Sequence, residues 1–156
     1  MRLLLIIAGV FGCILICQSA GVIGALSTST GNSPWYQSLT KPFFNPPGWI
    51  FAPVWTLLYT LMGISLYLLV RQWPASRFAI LFFAVQLILN AAWSPIFFGL
   101  HSIGGALITI ILLWLTLLVT ILTAGPNSAW SAILLLPYLA WVTFATVLNA
   151  AIFKLN

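Results

Sequence analysis

The chain has 156 residues, of which 63% are hydrophobic and 3% charged, and it contains no Asp or Glu. Soluble domains carry roughly 25% charged residues, so a water-facing globule is excluded. Without side-chain carboxylates there is no Asp/Glu pair for acid–base work and no carboxylate to bind a hard cation. The five scattered cations form no patch that would hold nucleic acid.

At the N-terminus, Arg2 precedes an apolar run that is expected to form a helix over about residues 3–26. A cleaved signal peptide is the competing reading, and Val10-Phe11-Gly12-Cys13 resembles a poor lipoprotein cleavage site. The run continues well past Cys13, however. Small residues recur along it at Gly9, Cys13, Cys17, Gly21 and Ala25, a spacing that lets helix backbones approach closely in lipid. The segment is therefore read as a retained helix. Cys13 and Cys17 share one of its faces, where a disulfide is not expected.

The connection over 27–48 is rich in Ser, Thr, Gly and Asn from Ser27 to Ser33 and then stiffens. Trp35-Tyr36, Lys41-Pro42, Asn45-Pro46-Pro47, Trp49, Pro53, Trp55 and Tyr59 follow in quick succession. A loop that only joins two helices does not need this aromatic, proline-pinned sequence. It is expected to act as a lid, with Trp35, Lys41, Pro42, Pro46 and Pro47 at the mouth of a site. Pro46 and Pro47 suit a helix entry, where a missing N–H costs little, and Pro53 is expected to bend the first turns. Lys41 is read in two ways, as a snorkelling anchor or as a partner for a ligand carboxylate.

Four more apolar segments follow over about 49–70, 78–100, 103–124 and 129–153. Each supplies roughly the 20 residues that a 30 Å hydrocarbon core requires. Their backbone polar groups must be satisfied internally, so helices follow. The short connections Arg71–Arg77, His101–Ser102 and Gly125–Ser128 predict antiparallel neighbours. The expected fold is all-α, one domain, an up-and-down integral membrane bundle of five transmembrane helices. Pro95 and Pro137 are expected to kink their helices and open space between them. His101 is expected in an interfacial loop and cannot hold a metal alone, so no metal site is expected. Arg2, Arg71 and Arg77 lie at one end and Lys41 and Lys154 at the other, which leans toward a cytoplasmic N-terminus.

Helical spacing collects polar and aromatic residues into three stripes. They are Trp55 and Tyr59 in the second segment, Gln86, Asn90, Trp93 and Phe97 in the third, and Tyr138, Trp141, Ala145 and Asn149 in the fifth. An amide in the bilayer needs a partner, so Asn90 and Asn149 are expected to face the interior. Taken singly, the amides read as interhelical glue and the aromatics as an interfacial belt. Trp73, Trp114 and Trp130 are read as belt or lipid-facing residues. Three stripes beneath an aromatic loop read instead as the wall of a slot for a flat hydrophobic molecule.

The same residues carry a resemblance. Trp35-Tyr36-x-x-Leu39-x-Lys41-Pro42, Asn45-Pro46-Pro47-x-Trp49-x-Phe51 and Pro53-x-Trp55-x-x-x-Tyr59 are similar to motifs of the tryptophan-rich sensory protein (TspO) family. So are Gln86-Leu87-x-x-Asn90-x-x-Trp93-x-x-x-Phe97-Phe98-Gly99 and Pro137-Tyr138-x-x-Trp141-x-x-x-Ala145-x-x-x-Asn149. That family includes the mitochondrial translocator protein, or peripheral benzodiazepine receptor. The resemblance spans nearly the whole chain. It implies a five-helix membrane protein, commonly a homodimer, whose relatives bind protoporphyrin IX, haem and related tetrapyrroles, and in some members cholesterol and benzodiazepine-type drugs. By position it places Tyr36, Trp55, Asn90, Trp93, Tyr138, Trp141, Phe144 and Ala145 around the pocket, with the first loop as lid.

Two departures qualify what is carried over. The family's sterol motif retains Val147 and Lys154 here but has Ala150 at its Tyr position, so cholesterol is not expected at that element. The acidic loop residues of many relatives are missing. The leading reading is a membrane receptor or sensor for tetrapyrroles that needs no cofactor. A light-dependent porphyrin-degrading enzyme using Trp55 and Trp141 is one alternative. A transporter of porphyrins or other small hydrophobic molecules is another, although no titratable group of the kind proton coupling needs, beyond the peripheral His101, and no inverted repeat supports it.

Overall fold

The computed structural model describes residues 1–28 and 34–156, so most of the Ser/Thr/Gly/Asn-rich stretch lies outside the described residues. The elements are α1 (Arg2–Thr28), the short α2 (Pro34–Ser38), a 3₁₀ turn (Gly48–Ile50), α3 (Phe51–Val70), α4 (Arg77–Ser94), a π turn (Pro95–Gly99), α5 (Ile103–Ala124) and α6 (Ala129–Leu155). Five of the helical runs, including those that the two turns extend, are long and apolar enough to cross a bilayer. Their outer faces carry Leu3, Leu4, Leu5, Ile88, Ile108 and Leu122, all exposed as hydrocarbon-facing residues should be.

The helices close into a ring in the order α1, α3, α6, α5, α4 and back to α1. This corrects one expectation. α3 and α4 are joined by a short turn, yet they only graze one another, because α1 lies between them. The stripe of small residues explains the wedge. A side chain at Gly9 would strike the ring of Tyr67, one at Gly21 the ring of Tyr59, and one at Gly63 of α3 the backbone of Ile14. Gln18 Nε2 adds bonds to Thr56 O at 3.0 Å and Thr60 Oγ1 at 3.3 Å. Cys13 and Cys17 are free thiols, with Cys17 fully buried.

The prolines act differently from one another. Pro53 falls in the first turn of α3, where an N–H has no obligatory partner. Pro137 lies exposed on α6, which runs unbroken past it. Pro95 opens the π turn, closed by Leu100 N–H donating to Pro95 O at 2.9 Å. The wide turn carries both Phe97 and Phe98 into the interior. Ser102 and Ser128 cap α5 and α6 by accepting from Gly105 N and Ser131 N.

Two apolar clusters result. The larger runs along the bundle axis through Met62, Leu69, Phe83, Leu113, Leu117, Leu135 and Tyr138. The smaller lies at the end where the first loop returns. It comprises Phe97, Phe98, Ala106, Leu148 and Ile152, with Trp35, Tyr36, Leu39 and Phe44 packed against it.

Candidate functional site

The site is built where α3, α4 and α6 turn their stripes toward one another at the lid end. Tyr59 Oη donates to Asn90 Oδ1 at 2.6 Å, and Asn90 Nδ2 donates to Tyr138 Oη at 2.8 Å. One amide thus joins three helices in the interior. Toward the lid, Trp93 Nε1 donates to Asn149 Oδ1 at 3.1 Å and Asn149 Nδ2 donates to Ile103 O at 3.2 Å. Both asparagines face inward as expected, and both bond to the protein itself.

Around these bonds the aromatic rings pack in two groups, one around Trp55 and Trp141 and one around Trp93 and Phe97. Trp55 stacks on Tyr59 at 5.3 Å between centroids and meets Tyr138 and Trp141 edge-on at 6.1 and 6.5 Å. Trp141 meets Phe51 at 6.0 Å and Phe144 at 5.6 Å. Trp93 stacks on Phe97 at 5.1 Å. Ala145, with no ring of its own, packs beside the axial cluster.

The lid makes direct contact with this wall. Trp35 stacks on His101 at 4.2 Å and meets Phe97 edge-on at 5.7 Å. Tyr36 lies against Phe97 and Phe98, and Phe44 against Phe144. Lys41 Nζ sits 4.6 Å from the Tyr36 ring centroid and donates to Leu39 O at 3.3 Å. Burial pushes the Tyr36 phenol above its ordinary pKa. Pro42 O accepts from Asn45 N at 3.0 Å, Asn45 Nδ2 reaches Pro46 O at 3.4 Å, and Pro47 O accepts from Ile50 N at 3.1 Å. These contacts fix a stiff entry into α3. The Asn156 side chain clasps the loop, accepting from Thr40 N at 2.9 Å and donating to Thr40 O at 3.0 Å.

Where the sequence led us to expect a slot, the rings of Trp55, Tyr59, Tyr138 and Trp141 pack on one another. Two shallow hollows lie on outer faces and touch none of Trp55, Asn90, Tyr138 or Trp141. One, of about 360 Å³, is lined by Ile111, Trp114, Leu115, Thr143, Thr146 and Val147. Stacked and edge-on ring contacts explain the closure, since flat faces fit each other as well as they would fit a guest. Not every polar group in the site is satisfied. Trp141 Nε1, Asn45 Oδ1 and both amide atoms of Gln86 are buried with no hydrogen-bond partner.

Several contributors escaped the sequence reading. Phe44, Phe51 and Phe98 line the same wall, and Thr40 and Asn156 hold the lid. His101 is exposed in its loop as expected, yet it carries Trp35 on its ring and adopts φ 53°. Phe51 follows Trp49 in the loop motif and had a detectable signal. The Thr40–Asn156 clasp bridges residues far apart in sequence and had none. Of the tryptophans read as belt or lipid-facing, Trp73 and Trp130 are exposed, and Trp114 is half-buried and donates to Thr143 Oγ1 at 2.8 Å.

Comparison with known proteins places this architecture. The tryptophan-rich protein TspO of Chlorobaculum tepidum is 41% identical over 147 residues, covering 92% of this chain and 93% of the relative. The tryptophan-rich sensory protein of Cereibacter sphaeroides is 37% identical over 140 residues, covering 90% and 86%. The translocator protein of Bos taurus is 38% identical over 149 residues, covering 93% and 88%. The TspO/MBR family model matches residues 13–155, and the chain is an integral membrane protein that belongs to that family.

Proposed function

We propose that this protein is a membrane receptor or sensor for a flat, hydrophobic, acid-bearing guest, a tetrapyrrole such as protoporphyrin IX or haem. The observation that carries the reading is the aromatic wall shared by α3, α4, α6 and the first loop, with the partnerless indole N–H of Trp141 within it. A planar guest inserted between these rings would replace ring–ring contacts with equivalent stacking. It would also offer an acceptor to that indole. The half-buried ammonium of Lys41 at the lid supplies a cation in a chain without acidic side chains. One relative is called a sensory protein, a name that agrees with a sensing role. Binding requires the lid to lift, because its rings occupy the rim.

Titration with protoporphyrin IX is expected to quench tryptophan fluorescence to saturation. Trp141→Phe combined with Asn90→Ala is expected to weaken binding at least tenfold. An unmoved binding curve in a variant that still folds would place the guest elsewhere.

A further inference from the structure

Gln86 is fully buried on α4, and neither its Nε2 nor its Oε1 has a partner. One turn away, on the same face, Asn90 has a partner for each atom, accepting from Tyr59 and donating to Tyr138. Side chains four apart on a helix stand about 5–6 Å from each other, so Gln86 lies next to the Tyr59–Asn90–Tyr138 junction. Tyr138 is also fully buried. Its oxygen accepts from Asn90, and its own proton has no acceptor among the described residues. Among the other buried polar groups, Ser65 and Ser131 pair with each other. Their hydroxyls approach to 2.7 Å, and each donates to the other's carbonyl, at 2.9 and 3.1 Å. That pair is satisfied within itself and offers Gln86 nothing.

The unmatched groups define what is missing. It must accept from Tyr138 Oη and from Gln86 Nε2, and it must donate to Gln86 Oε1. A hydrocarbon can do neither, an anion cannot donate, and a cation cannot accept. Water does both, and buried waters typically make about three such bonds. We propose that Gln86 and Tyr138 hold an internal water site on the bundle axis, one layer deeper than Asn90. The site is independent of which guest the aromatic wall takes.

The test uses the full chain in lipid nanodiscs, labelled with ¹⁵N-glutamine and ¹³C-valine. The Val85–Gln86 pair is unique among the four glutamines, which are preceded by Cys17, Tyr36, Arg71 and Val85. Gln86 can therefore be assigned without a mutation. Its side-chain amide protons are expected to show cross-peaks to water in both NOE and ROE spectra, with the opposed signs of a long-lived water. No water cross-peak at Gln86, with one present at exposed Gln72, would overturn the proposal. As a second measurement, Gln86→Leu is expected to shift the thermal midpoint by no more than about 4 °C, because it removes the need for the water along with the amide. A fall as large as that of Asn90→Leu would mean that Gln86 bonds directly to protein, which also overturns it.

Discussion

Asn90 accepts from one buried phenol and donates to another, so removing its amide strands two polar groups at once. Leaving a buried partner unsatisfied costs about 1–3 kcal/mol. Asn90→Leu is therefore expected to lower stability by about 2 kcal/mol or more, read as a fall in the thermal midpoint in detergent. Tyr59→Phe should cost less, because Asn90 keeps its bond to Tyr138. Single residues of this kind were legible in the sequence, because an amide inside an apolar run has few ways to be satisfied. Phe98 was not legible. It falls beside the Gln86–Asn90–Trp93–Phe97 stripe rather than on it, and the π turn that follows Pro95 and buries it leaves no mark in the helical spacing. Gln86 was legible as an inward residue, but its lack of a partner was not.

Among the elements, α1 decides how the bundle closes. The five spans could be read from length and hydropathy, but their order around the ring could not. Loop length argues for adjacency of α3 and α4, whereas the glycine contacts seat α1 between them. Gly63 is the tightest point, since a Cβ there meets the backbone of Ile14, which cannot rotate away. Gly63→Ala is expected to force the two helices apart at a cost of about 1–3 kcal/mol. Gly12→Ala, with open space around it, should be neutral or slightly stabilising through helix propensity. Equal thermal midpoints for the two variants would contradict this packing. The lid was legible as a rigid aromatic loop, but its fastening through Thr40 and Asn156 was not. Its contacts predict a pH response. The folded-state pKa of Tyr36 is raised by burial, so its contribution is complete below the ordinary phenol value and is lost as pH rises through the raised one. Hydrogen exchange over residues 34–47 is expected to accelerate, relative to its intrinsic pH dependence, at alkaline pH. Tyr36→Phe, which keeps the ring contacts, should remove that transition.

At the scale of the whole molecule, charge is the decisive quantity. The chain carries five Lys and Arg and no acidic side chain, so no cation can be neutralised by an Asp or Glu of the same chain. For the arginines at the opposite end, lipid headgroups serve. Lys41 differs because it is half-buried under the lid, held by a carbonyl and over a ring. A carbonyl and a π face stabilise an ammonium without cancelling its charge, which leaves it able to pair with a guest's carboxylate. Partly screened ion pairs contribute about 0.5–1 kcal/mol, or roughly a two- to fivefold change in affinity. Protoporphyrin IX is therefore expected to bind two- to fivefold more tightly than its dimethyl ester, which keeps the flat ring and lacks the charge. The preference should shrink as salt is raised. Lys41→Gln should bring the two affinities together by weakening only the diacid. If the ester binds as tightly as the diacid to the unmodified chain, Lys41 is a membrane anchor and the guest is recognised by its ring alone.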